Sequence, residues 1–581
     1  MSNKGRYSSE QNVQILIYLL KQHNIRKVIA SPGTTNINFV ASVQFDKYFQ
    51  VYSCVDERSA AYMACGMAEE SGEPVVLTCT GATASRNYVP GLTEAYYRKL
   101  PVLAITSTQH PGRVGQNVPQ VIDRSTRMKD LVMCSIQLNT VHTEEDEWAA
   151  GVKINEALLE LKHNGGGPVH INLETKYSND FSEKELRPVK FIQRYNVLDK
   201  LPDLKKKKIG ILVGSHSKWS ESLTKAVEDF CRAYGAVVFT DNTSNYKGKY
   251  NISYALITSQ DLSHFEEASV DLLIDIGNIS GGYNRIHSKE IWRVNPDGII
   301  RDTYQKLTKV FQMEEEFFFR YYADKVDSIV NNEFYESCKA LINELNKKIG
   351  DIPFSNIWVA KETESRLPEN SIIHFGILNS LRSWNFFPLP KTVLGYSNTG
   401  GFGIDGDVSA LIGASLASPK KLCFGVIGDL AFFYDINSLG NRHVGRNVRI
   451  MLVNNGCGTE FRNYNHPAER FGKDADEYMA AAGHFGMKSQ QLVRHYVEDL
   501  GYEYLDAYSK ESYLKNIDRF LTPEITDKPM VFEVFTNHQD ESDALYAMRH
   551  LTVSKKEEVK KVVKDVIGEK GISVVKKLIG R

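Results

Sequence analysis

Cysteine is scarce in this chain: eight residues in 581, at positions 54, 65, 79, 134, 231, 338, 423 and 457, with no CxxC pair. That scatter excludes a tight disulfide framework. Cysteines inside apolar runs such as VVLTCTG and KLCFGVIG read instead as small buried hydrophobes in a reducing, cytoplasmic setting. No stretch approaches the roughly 18–20 uninterrupted apolar residues of a membrane span. The opening MSNKGRYSSEQ lacks the basic-then-apolar layout of a secretion signal. Neither sign of charge dominates, since 70 Lys+Arg face 71 Asp+Glu for a formal net charge of −1. A protein that grips nucleic-acid phosphates over its whole surface is thereby disfavoured. No short-period repeat is present. What remains is an ordinary globular composition, 42% apolar and 24% charged, long enough for about three or four domains.

Short apolar runs alternate with amphipathic segments from about residue 13. VQILIYLLKQHN reads as a helix, KVIAS as a strand, ERSAAYMACGMAEESG as a helix ended by Gly72, and PVVLTCT as a strand. The same alternation returns after 208 (IGILVG, AVVFTD, DLLIDIGN) and after 352 (SIIHFG, KLCFGVIGD, VRIMLVNN, MVFEVFT). It predicts an α/β protein of three doubly wound parallel sheets. We place domains at 1–178, 209–348 and 349–552, with a linker over 179–208 and a separate basic segment at 553–581.

Two constellations carry chemistry. A strand delivers Gly428-Asp429 at its carboxyl end, and the next strand delivers Asn454-Asn455, placing Asp429 and Asn455 26 residues apart. One strand–helix–strand unit has that length, so both side chains reach the sheet edge where open α/β folds bind ligands. A carboxylate with an amide oxygen suits Mg²⁺ completed by phosphate and water. GD and NN are also common turn dipeptides, and either alone is uninformative. The second signal is Glu57, opening a helix with Ala60, Ala61, Ala64 and Ala68 on one side; an acid in a helix first turn is also simply stabilising. A literal GxGxxG at Gly401–Gly406, with Asp429 23 residues after its last glycine, offers a dinucleotide alternative. It explains neither Asn454-Asn455 nor the glutamate segment, and the glycines read better as a loop allowing close backbone approach.

Taken together, SPGTTN, DERSAAYMACGMAEESGEPVVLTCTGATA, GLTEAYYRKLPVLAITS, PQVID, TGGFGIDG and GDLAFFYDINSL resemble the thiamin diphosphate (ThDP) dependent enzymes over roughly residues 10–545. The branch they most resemble is the menaquinone-pathway synthase that joins decarboxylated 2-oxoglutarate to isochorismate. The resemblance implies pyrimidine-binding, central and diphosphate-binding domains, in that order, with ThDP and Mg²⁺ as cofactors. It assigns Asp429 and Asn455 as side-chain Mg²⁺ ligands, with a backbone carbonyl at Cys457 as third. Gly403, Gly428 and Leu430 fall in the cofactor-binding segments, and Ile404 aligns with the bulky residue that props the cofactor in its bent shape. Glu57 is implied to protonate the aminopyrimidine ring, the event that leads to loss of the thiazolium C2 proton. Gln120 aligns with a glutamine that reaches the reaction centre. Because the superfamily builds its site from two chains, the implied assembly is an obligate homodimer or tetramer.

The implied reaction is decarboxylation of a 2-oxoacid donor, with transfer of the acyl carbanion to a small-molecule acceptor. Simple decarboxylation and a non-catalytic scaffold stay open as alternatives. Departures concentrate in the substrate pocket. Thr35, Gln109 and Thr399 stand where the family has arginines, and Arg382 retains a fourth. Without bidentate forks for carboxylates, isochorismate is not the expected acceptor. Glu460 replaces an apolar pocket residue; it either meets a hydroxyl or amine of the substrate or pairs with the neighbouring Arg462. His110 stands at the mouth as a proton relay or simply an exposed loop residue. The segment 553–581 carries nine Lys/Arg against four Asp/Glu, leaving −6 for residues 1–552. It has a capping-box pattern at Ser554 and Glu557 and a valine stripe from Val559 to Ile567. Docking on a subunit and peripheral contact with an anionic membrane are both compatible with that stripe; no nucleic-acid partner is expected.

Overall fold

The computed structural model describes residues 6–125, 128–205, 208–283, 285–326 and 330–552. The capping box and valine stripe of 553–581, and the membrane contact read from them, lie outside the described residues. Two compact units are distinguished: one takes in the described residues of Met1–Leu201 and Asp297–Gln312, the other those of Pro202–Pro296 and Met313–Arg581.

In the first unit β1 (Lys27–Ala30), β2 (Gln50–Ser53), β3 (Val75–Thr80), β4 (Val102–Thr108), β5 (Cys134–Leu138) and β6 (Val169–Glu174) lie in the order β2-β1-β3-β4-β6-β5. Every pair is parallel. The strands alternate their side chains between two cores, as a period of two requires. Val28, Val76 and Leu103 join a cluster with the helix Gln11–Gln22, while Ile29, Leu77 and Ala104 join one with the helices Glu57–Ser71 and Val89–Tyr97. Covering on both faces explains why the strands read as continuous apolar runs. β2 is the exception, with all four residues exposed at the sheet edge.

Next in the chain come β7 (Gln193–Asn196), β8 (Ile209–Val213), β9 (Val237–Thr240), β10 (Asn251–Ser253), β11 (Ser269–Ile276), β12 (His287–Val294) and β13 (Leu307–Gln312). Within the second unit β10-β9-β8-β11-β12 form a parallel sheet. In the first unit β7 pairs in parallel with β13, Lys309 opposite Gln193. Part of 179–208 is therefore structured. QRYN has no apolar run to announce it, and it is held by pairing with a strand over a hundred residues away.

The last sheet comprises β14 (Ile372–Phe375), β15 (Leu394–Ser397), β16 (Cys423–Gly428), β17 (Val448–Asn454), β18 (Glu503–Ala507) and β19 (Met530–Phe535), ordered β15-β14-β16-β17-β19-β18 and parallel throughout. β17 is buried throughout and β16 up to its last residue, and the two run side by side, Gly428 opposite Val453. Three parallel sheets thus stand as expected. Six of the eight cysteines are buried. Among the described residues no helix is long and apolar enough to cross a membrane.

Candidate active site

Glu57 is the first residue of the helix Glu57–Ser71, which Asp56 caps by accepting the Ser59 N–H at 2.7 Å. Ala61 lets a second helix approach closely: a Cβ added at Gly91 would lie 2.4 Å from the Ala61 Cβ. Small residues on one face of Glu57–Ser71 are thus spent on helix packing, which fixes where the glutamate stands. Its carboxylate is partly exposed and accepts from Asn87 Nδ2 at 3.3 Å. Asn87 ends the short helix Thr83–Asn87. Around Glu57, Val51, Tyr52, Val55, Tyr62 and Met63 are all more than one-third exposed, an apolar surface.

In the last sheet, parallel pairing of β16 with β17 brings Asp429 and Asn455 to one edge. Asp429 begins the short helix Asp429–Tyr434 and is buried. Burial pushes its carboxyl up to about 7, against the opposing pull of the Leu430 and Gly456 N–H groups. Among the described residues no side-chain cation pairs with it. Gly456, at φ +77°, turns the chain after β17, and the Cys457 N–H reaches Asn455 Oδ1 at 3.4 Å. Asn454 faces away, donating to Glu533 Oε1 at 2.7 Å. Asp429, Asn455, Cys457, Gly428, Leu430 and Ile404 line one pocket of about 110 Å³. Gly403 sits in the loop before the helix Asp407–Ala417. A buried carboxylate lacking a counter-charge, with an amide oxygen beside it, fits a hard divalent cation. No cluster of three or more His, Cys, Asp or Glu side chains occurs among the described residues, so this donor set relies on amide and carbonyl oxygens.

The remaining pocket candidates separate. Thr35 is buried and donates to the Ser107 carbonyl at 2.9 Å. Gln109 accepts from Arg113 at 2.7 Å, so a guanidinium stands one helical turn from the replaced arginine. His110 is exposed, and its Nδ1 accepts the Gly112 N–H at 3.0 Å, capping a short turn. Gln120 is exposed with φ +64°. Thr399 is buried and donates to Ser215 Oγ at 3.2 Å.

Glu460 does not pair with Arg462, which is held by Glu469 and Asp476. It forms an ion pair with Arg382, accepts the Tyr283 hydroxyl at 2.9 Å, and lines the Asp429 pocket. The Arg382 guanidinium also lies over the Tyr283 ring, 4.1 Å from its centroid. The expected alternative pairing with Arg462 does not form: the two residues sit two apart on the short helical turn Thr459–Arg462 and take separate partners. Asn87 and Tyr283 were missed. Tyr283 had one faint signal, an aromatic following Gly281-Gly282 in a strand-end loop.

Residues 11–127 match the family model described as "Thiamine pyrophosphate enzyme, N-terminal TPP binding domain". With three parallel α/β sheets in the same chain, this is a thiamin diphosphate-dependent enzyme. The 2-succinyl-5-enolpyruvyl-6-hydroxy-3-cyclohexene-1-carboxylate synthase of Bacteroides fragilis is 31% identical over 572 residues, 94% of this chain and 99% of that protein. Its counterpart in Phocaeicola vulgatus is 30% identical over 579 residues, covering 95% and 100%. The chain belongs to this synthase family. A solved structure, the Rhodococcus jostii RHA1 thiamine diphosphate-dependent 4-hydroxybenzoylformate decarboxylase, aligns over 91% of this chain and 99% of its own at 16% identity. Its TM-score is 0.39.

Proposed function

We propose that this enzyme is a Mg²⁺-assisted carboligase, which removes CO₂ from a 2-oxoacid and joins the remaining acyl unit to an acceptor. Bound ThDP would supply the electron sink that both bond changes require. Asp429 and Asn455, with the Cys457 carbonyl, would hold the metal, which would serve to bind the cofactor's diphosphate. Ile404 packs partly against the core of the last sheet and lines the same pocket, suited to propping the cofactor. Glu57 would exchange a proton with the aminopyrimidine nitrogen, and Asn87 fixes its carboxyl group. Gln120 is kept as a contributor to the reaction centre. Domain limits at 178, 208, 348 and 552 belong to the same reading.

The observation that carries this proposal is the buried, cation-free carboxylate of Asp429 at one sheet edge with Asn455. The apolar surface around Glu57 supports a second copy of the chain as the element that completes the site. The named relatives lend no support to setting isochorismate aside as acceptor, and that part of the reading rests on the altered pocket. Titrating apo-protein with ThDP, with and without Mg²⁺, tests the whole: binding should saturate only with the metal. Metal-independent binding, or none, would sink it. Release of labelled CO₂ that no acceptor accelerates would leave a decarboxylase instead.

A further inference from the structure

A second pocket lies in the same unit as Asp429, and Glu460 and Asn379 line both. Its free space is about 40 Å³, room for about three water-sized groups. Three guanidiniums line it, and each already has an acid. Arg382 is paired with Glu460, Arg549 lies 2.6 Å from Asp261, and the half-exposed Arg285 lies 3.7 Å from the same carboxylate. A free substrate carboxylate would have to displace one of these anions rather than meet an open fork.

Two further polar atoms there have no partner. Asn385 is 2% exposed, and its Oδ1 accepts the Asn242 N–H at 3.0 Å while Nδ2 is unbonded. A Cβ built on Gly282 would come within 3.1 Å of that Nδ2, so Gly282 keeps the space open. Asn463 is 3% exposed with Oδ1 unbonded. A buried amide donor and a buried amide acceptor left without partners cost free energy unless something fills them. Each can be satisfied by a hydroxyl, which both donates and accepts.

We propose that this pocket takes the hydroxyl-bearing end of an uncharged acceptor, a polyhydroxylated aldehyde, with Glu460 as its specificity-determining residue. The proposal rests on the carboligase reading. Glu460 cancels the charge of Arg382 and offers its second oxygen to a hydroxyl, while Asn385 and Asn463 supply a donor and an acceptor for neighbouring hydroxyls. The aldehyde carbon lies toward the Asp429 pocket. In the reaction the donor loses CO₂, its former carbonyl carbon bonds to the aldehyde carbon, and the aldehyde oxygen takes a proton from water. The product is an α-hydroxyketone, and no oxidant or reductant is needed.

Threitol and tartrate share a four-carbon diol skeleton and differ in hydroxymethyl against carboxylate ends. Each is titrated by ligand-observed NMR into the full chain, with and without ThDP and Mg²⁺. Wild type should bind threitol saturably and tartrate at least about tenfold more weakly. Glu460→Gln should free Arg382 and erase most of that preference, with tartrate gaining about tenfold. Asn463→Leu should weaken threitol about three- to tenfold. Tartrate binding wild type more tightly than threitol would overturn the proposal, as would saturable binding of neither. A threitol-to-tartrate ratio that Glu460→Gln leaves within about twofold of the wild-type value would overturn it too. Loss of metal-dependent ThDP binding would instead remove the carboligase reading, while the threitol and tartrate titrations still report on the pocket.

Discussion

Glu541 is 2% exposed at the start of the helix His538–Arg549. Its carboxylate accepts the Asn356 N–H at 3.0 Å, the Thr536 hydroxyl at 2.8 Å and Asn379 Nδ2 at 3.4 Å. Burial still outweighs these three bonds and pushes the acid up to about 7 from 4.5. For an acid with a raised folded value, the folded state binds the proton more tightly than the unfolded state. Its contribution to stability is then whole below the unfolded value and falls as pH rises toward the folded value, here between 4.5 and about 7. Linkage over pH 5 to 8 gives a loss of about 2.5 kcal/mol from this one group. Glu541→Gln is nearly isosteric and cannot ionise. In urea unfolding at pH 5 and pH 8, the wild type should therefore lose about 2.5 kcal/mol more than the variant over that range. Other buried acids, such as Asp407 and Glu533, are raised to about 7 as well, but they act equally in both proteins and cancel. Tryptophan fluorescence suits the measurement, since Trp384 donates to the Asn356 side chain at 3.1 Å. An unchanged slope against urea confirms that the same transition is compared. Equal pH dependence in the two proteins would show that the three hydrogen bonds hold Glu541 ionised, and the reasoning from burial would fail.

Three shorter predictions follow from the sites. Glu57→Gln should cut turnover by about 10²–10⁴-fold with ThDP affinity little changed; wild-type turnover in a stopped-assay comparison would remove the proton-holding role. Asp429→Ala should weaken Mg²⁺-dependent ThDP binding at least about tenfold, read by calorimetry, whereas Asn454→Ala should act on stability through Glu533. Gly456→Ala forces a side chain onto a left-handed turn, and its Cβ would lie 2.3 Å from Met487 Sδ. It should cost about 1–2 kcal/mol by thermal melting and lower ThDP affinity, and a neutral result would mean the turn yields easily.

The buried strands were legible because doubly covered parallel strands must be apolar throughout: VVLTCT, CFGVIG and VRIMLVN announce themselves. The helix ending at Gly72 was legible too, since a left-handed residue at φ +64° closes it. Asp429 and Asn455 could be placed at one edge from spacing alone, because adjacent parallel strands fix the register of their ends. β7 was not legible, having neither apolar run nor nearby partner. Nor was the charge pairing in the pocket. Arg382, Glu460 and Tyr283 come from three separate loops or short helices, with up to 177 residues between partners, and only the folded geometry selects among the available acids. Spacing placed Asp429 and Asn455 at one edge, while the choice of charge partners beside them is made only by the folded chain.

Thr35 carries a consequence for anyone redesigning this enzyme toward its relatives. The hydroxyl is 4% exposed and bonded to the Ser107 carbonyl, and the backbone two residues earlier is equally hemmed in: a Cβ on Gly33 would lie 1.9 Å from Thr80 Cγ2. Reinstating a guanidinium at this position is therefore not a one-codon reversal. Room must first be made at Thr80 or along Ser107, or the longer side chain displaces the segment that carries it. A longer side chain at 35 and the room for it must therefore arrive together, so the two changes behave as one coupled step rather than two independent ones.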